Sequence, residues 1–208
     1  MHSAVNAYER GPPLISDTGT SVPLLSAALE AGIRAGFAEL LPAAKIRVTA
    51  EAIAPPAPAR QDATVVLVSG PLAGALAIVS DDKATRGLAH QIVQAGLGDG
   101  APPAAADGTL TELEEGALCE LCNRIGAVFV MQMPAPEEFA INCPALFHGD
   151  PVQVGGDHRY CVMQSVRLPD LEVFVWLGLS PSQAQRTSTA ERMRTLAKLR
   201  ARCRAGEQ

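Results

Sequence analysis

From Leu25 onward the large apolar residues Leu25, Leu29, Ile33, Phe37 and Leu40 recur every three or four positions, the period of a helix with one buried face. Ser21 is placed to cap that helix, Pro23 falls in its first turn and Pro42 ends it. "KIRVTAEAIA" then alternates as a strand does, and "PPAPARQ" reads as a loop. The charge-free run "ATVVLVSGPLAGALAIVS", residues 63–80, approaches the length of a membrane span. Its central Gly and Pro residues split it into two β-branched-rich halves, so the pattern predicts a buried hairpin, 63–69 with 74–80. Asp81 or Asp82 caps a second helix over "KATRGLAHQIVQAG", with Leu88, Ile92 and Val93 inward and Gly96 as its stop.

A third helix opens after the polar stretch "LGDGAPPAAADG", where Thr109 and Glu112 have the spacing of a capping box. It runs to about Phe129, and Pro134 and Pro136 close it. A short element near "NCPALFHGD" and a "GGD" turn lead to "HRYCVMQSVRL" and "LEVFVWLGL", two strands joined by "PD" that read as an antiparallel pair. The order of elements predicts an α+β fold, a mostly antiparallel sheet with long helices packed on it. Residues 1–20 read as a flexible N-terminal arm, 21–182 as one domain, and 183–208 as a basic C-terminal helix and tail containing Arg192, Arg194, Lys198, Arg200, Arg202 and Arg204.

Composition narrows the classes of function. The chain has 208 residues, 48% of them hydrophobic but only 4% aromatic, so its core consists of Ala, Leu, Val and Ile in close packing. A net charge of −5 supplies no field that would favour nucleic acid, and small molecules or proteins are the expected partners. The N-terminal residues lack the pattern of a signal peptide, and with no membrane span the expected location is the cytoplasm. Five cysteines, an odd number without a secretion signal, point to reduced thiols rather than a disulfide framework.

Candidate chemistry concentrates in "GALCELCNRIGA", residues 116–127. At about 100° per residue, Ala117, Leu118, Leu121, Ile125, Val128 and Phe129 form the buried arc, with Cys122 and Cys119 at its edge. Glu120, Asn123, Gly116 and Ala127 cluster on the opposite side, a carboxylate and a carboxamide side by side on one ridge. Spacing alone favours an ordinary solvated face. The Cys119/Cys122 pair invites a redox or zinc reading, but a mid-helix position lacks the helix N-terminus that activates a thiol, and no second close pair completes a zinc site. Small hydrophobes at a packing boundary are the better reading. His148, His158, Asp107, Asp150 and Asp157 lie among turn residues and read as surface or packing groups.

With its flanking elements, this stretch resembles the CheC, CheX and FliY chemotaxis phosphatases, and CheX most. The resemblance runs from about residue 22 to 180 and is carried by Glu120 and Asn123 in "LCELCNRIGA", Pro144 in "INCPALFHGD", and the glycine hairpin leading into a helix in "SGPLAGALAIVSDDKATRGLAHQIV". It implies a phosphatase acting on the aspartyl phosphate of a CheY-like response regulator. Asn123 would orient the attacking water and Glu120 would anchor the receiver through its lysine. It implies no cofactor on this chain, Mg²⁺ on the receiver, and a homodimer. The family usually has Asp or Ser four residues before the glutamate, where this chain has Gly116. The first helix has Glu30 but Ile33 at the asparagine position, so one site per chain is expected. A noncatalytic adaptor that binds a receiver or a signalling or motor complex is the alternative reading.

Overall fold

The computed structural model describes residues 21–51, 62–103, 108–147 and 158–182. The N-terminal arm, the basic C-terminal helix and tail, His148, Asp107, Asp150 and Asp157 lie outside the described residues. Among the described residues, three α-helices, α1 (Val22–Leu40), α2 (Asp82–Leu97) and α3 (Glu112–Met131), accompany seven strands: β1 (Arg47–Glu51), β2 (Asp62–Ser69), β3 (Leu72–Ser80), β4 (Ala140–Ile141), β5 (Ala145–Phe147), β6 (Tyr160–Arg167) and β7 (Glu172–Pro181).

The strands make one sheet in the order β1-β6-β7-β3-β2, with β4 and β5 both pairing to the far edge of β2. Every pairing is antiparallel. The anticipated hairpin is β2–β3, and the anticipated terminal pair is β6–β7. Register fixes the faces. Val66 faces Leu76, which faces Leu177, and Leu177 faces Val162, so all four project to one side. There they meet Leu25, Leu29, Ile33 and Phe37 of α1, Leu88 and Ile92 of α2, and Leu118, Leu121, Ile125 and Phe129 of α3 in a single core. Burying side chains of this size is worth about 1.5–3 kcal/mol each, which makes this layer the main source of stability.

The other side of the sheet carries a smaller apolar cluster, Ala63, Ala77, Val79, Met163 and Trp176. Trp176 lies over Gly178, where a Cβ would come within 2.2 Å of the indole. Its ring meets His158 edge-on at 5.3 Å, so this histidine is a packing group, as the sequence suggests.

Of the two candidate caps for α2, Asp81 is the one used, its carboxylate accepting from the Ala84 N–H at 2.7 Å. One boundary differs from expectation: the helix passes through Gly96 and stops at Gly98, whose φ of +58° a residue with a side chain rarely adopts.

Candidate functional site

The site is built on α3, and its position follows from how that helix is capped and clamped. The cap is one pair further on than Thr109 and Glu112. The Thr111 hydroxyl accepts from the Glu114 N–H at 3.2 Å, while the Glu114 carboxylate accepts from the Thr111 N–H at 2.9 Å. Sequence alone offers both overlapping Thr-x-x-Glu pairs, and the later one wins because its glutamate is buried on the side of α2, where it has further partners. The Thr111 hydroxyl also donates to it at 2.9 Å, and His90 Nδ1 lies 3.5 Å away, long for a hydrogen bond. Burial pushes the Glu114 carboxyl up, but the Thr111 bonds and His90 outweigh it and hold it below the usual carboxylate value.

α3 is clamped on three sides. On one flank α1 approaches through Gly32 and Gly36, where an added Cβ would lie 2.6 Å from the Ile125 carbonyl oxygen and 2.9 Å from the Ile125 side chain. Beneath, Gly126 faces Val66 of β2 and Ile141 of β4. Near its start, Glu114 meets His90 of α2. The buried positions are accordingly Glu114, Leu118, Leu121, Cys122, Ile125, Gly126, Phe129 and Val130, while Ala117 and Val128 are only partly covered. The buried arc is thus rotated towards Cys122 relative to the one drawn from large apolar residues.

Cys122 is therefore not at the margin. It is fully buried, and its thiol donates to the Thr64 carbonyl at 3.4 Å. Burial pushes this thiol up to about 12, and burial also raises Cys119, with further contributions from Cys143 and Glu115. A nucleophilic or redox thiol needs the opposite shift, so the structure gives the pair no activated thiolate. Among the described residues, no three His, Cys, Asp or Glu side chains converge as a metal site.

What the clamps leave outward is the edge formed by Gly116, Glu120, Asn123 and Ala127. Gly116 is exposed, with nothing within 4 Å of a Cβ placed there, and the other three are partly exposed. No described residue hydrogen-bonds the partly exposed Asn123 carboxamide, which has an acceptor oxygen and two N–H donors. Glu120 is already engaged. Arg124 Nε donates to its Oε1 at 2.5 Å, and Arg124 Nη1 lies 3.0 Å from Glu39 Oε1 on α1. Those carboxylates raise the Arg124 guanidinium, the Glu120 hydrogen bond first. The Glu120–Arg124 spacing is visible in the sequence as an i,i+4 pair. Glu39 is not, because only the packing of α1 on α3 brings it there. Pro144 lies partly buried in the link between β4 and β5, and α3 packs against both strands.

No protein-family model matches the chain, and no curated protein matches it in sequence. In fold it is similar to several solved chemotaxis proteins. A chain of the CheX–CheY–BeF3–Mg²⁺ complex from Borrelia burgdorferi superposes with a TM-score of 0.56 at 16% identity, over 74% of this chain and 96% of that one. CheX from Vibrio vulnificus gives 0.58 at 14% identity, over 77% and 99%. FliY from Thermotoga maritima gives 0.53 at 14% identity, over 75% and 86%.

Proposed function

Because this chain has the α+β fold of the CheC, CheX and FliY chemotaxis proteins, we propose that it accelerates hydrolysis of the aspartyl phosphate of a CheY-like response regulator. The observation that carries the reading is the outward edge of α3, where the Asn123 carboxamide, without a partner among the described residues, stands one turn from the carboxylate of Glu120.

The chemistry asks little of the protein. Water forms a bond to phosphorus, the bond from phosphorus to the aspartyl oxygen breaks, and the carboxylate leaves with its electron pair. The transition state is loose, so catalysis is chiefly alignment and charge stabilisation. The receiver supplies the metal ion and the cation that hold the phosphoryl group. A neutral carboxamide suits the remaining task, since its oxygen can accept a hydrogen bond from the water without adding negative charge beside the phosphate. Asn123 takes that role. Glu120 pairs with a receiver lysine and holds the complex in register, with no need to act as a base. The small residues Gly116 and Ala127, a turn before and after the pair, allow another surface to come close.

The test is release of phosphate from phosphorylated CheY-like receivers encoded in the same genome. Asn123→Ala is expected to abolish the acceleration with binding largely kept, and Glu120→Ala to weaken binding and rate together. An Asn123→Ala chain that retained the full rate would sink the assignment. The noncatalytic adaptor is the second reading, and Gly116 favours it, because the open position there offers a partner no side chain. Receiver binding with no faster loss of phosphate would decide for it.

A further inference from the structure

The carboxylate assigned to docking already has a cation of its own. Arg124 spans two acids on two helices, Glu120 on its own helix at 2.5 Å and Glu39 on α1 at 3.0 Å. All three side chains keep between two fifths and about half of their surface in solvent, so an incoming group can reach them. With one cation between two anions, the trio has a net charge of −1 rather than the −2 that the acids alone would present.

We propose that Arg124 is an internal competitor for Glu120 and that Glu39 is the site to which it retreats, so that this pair sets how tightly the edge of α3 takes a partner's lysine. The inference rests on the docking reading above. A lysine approaching Glu120 meets the Arg124 guanidinium on the same oxygen. Docking breaks that hydrogen bond, and Arg124 swings onto Glu39, which keeps it paired and off the ammonium. A guanidinium suits this bridging because its planar fork presents several donors at once, which the single ammonium of a lysine in its place would not. Exposed pairs of this kind are weak, so the competition tunes docking without blocking it.

The two neutralising substitutions then act in opposite directions. Arg124→Gln frees Glu120 and tightens the complex by about two- to fivefold, the range of exposed ion pairs. Glu39→Gln removes the retreat site, leaves Arg124 on Glu120 and loosens the complex by a similar factor. A general charge effect would produce the same signs, so two further chains separate the explanations. Arg124→Lys keeps the charge but loses the fork that reaches Glu39, so the lysine stays on Glu120 and competition predicts looser binding than wild type, as for Glu39→Gln. In a Glu120→Gln background there is nothing to compete for, so adding Arg124→Gln should leave the affinity unchanged.

The measurement is titration of the full chain with a purified CheY-like receiver domain held in its activated form by beryllofluoride and Mg²⁺. Looser binding by Arg124→Lys, with no Arg124→Gln effect in the Glu120→Gln background, is the expected result. Wild-type binding with an Arg124→Lys affinity that is unchanged or tighter, or an Arg124→Gln gain that persists without Glu120, overturns this inference alone. Absence of binding by the wild type to every receiver overturns the docking reading and the inference together.

Discussion

Replacing Gly32 by alanine tests whether the close approach of α1 to α3 holds the site-bearing helix in place. In an exposed helix this change stabilises by about 0.5–1 kcal/mol, because glycine gives up more backbone freedom on folding. At position 32 the new Cβ would lie 2.6 Å from the Ile125 carbonyl oxygen and 3.3 Å from the Phe129 backbone nitrogen. Both are backbone atoms, so no side-chain rotation relieves the overlap. Ordinary contact begins at 3.4 Å, so the helices must separate by about 0.8 Å along that line. Over-packing of this sort costs about 1–3 kcal/mol, and because backbone must move, the upper part of that range applies. After the propensity gain, Gly32→Ala should be destabilised by about 1–2 kcal/mol. Gly96 is the internal control, being helical with nothing within 4 Å of a Cβ placed there, and Gly96→Ala should gain about 0.5–1 kcal/mol. Urea denaturation followed by circular dichroism gives both midpoints, with an unchanged slope showing that only stability has moved. Equal stability of the two variants would refute the close approach.

Other consequences lie nearer the start and middle of α3. Glu114 is held below the ordinary value of 4.5 in the folded chain, so its contribution is present above that pH and is lost as pH falls through the lower folded value. Glu114→Gln should therefore be less stable than wild type near neutrality, and the gap should close on acidification below 4.5, as read from urea midpoints against pH; a gap independent of pH would contradict the assignment. Cys122, buried with a thiol pushed up to about 12, should resist alkylation in the native protein while exposed Cys143 reacts, and peptide mapping after brief iodoacetamide treatment would show it. Equal labelling of the two would mean that α3 is not seated as described.

The elements were legible where the pattern consists of large side chains. Leu25, Leu29, Ile33 and Phe37 mark the buried face of α1, and all four lie in the core. The outward edge of α3 was also readable, since Glu120 and Asn123 interrupt the apolar positions at a helical interval. Small residues were harder to interpret. Cys122 and Gly126 carry little hydrophobic signal, yet they form the seam against Thr64, Val66 and Ile141, and this is why the buried arc is rotated from the expected one. Local rules were ambiguous where two matches overlap, as with Thr109–Glu112 and Thr111–Glu114, and the tertiary environment of Glu114 decided. The Glu39–Arg124 contact joins residues far apart in the chain through helix packing, which no local pattern encodes.

The chain's sole tryptophan gives it a built-in optical reporter. Trp176 sits on the reverse of the sheet against His158, whereas Glu120 and Asn123 belong to a helix on the obverse. Its emission therefore monitors whether the scaffold is intact without sensing events at the α3 edge directly. A substitution at that edge that abolishes partner capture while leaving the emission spectrum untouched has altered recognition alone, and one that shifts the spectrum has disturbed the framework beneath it.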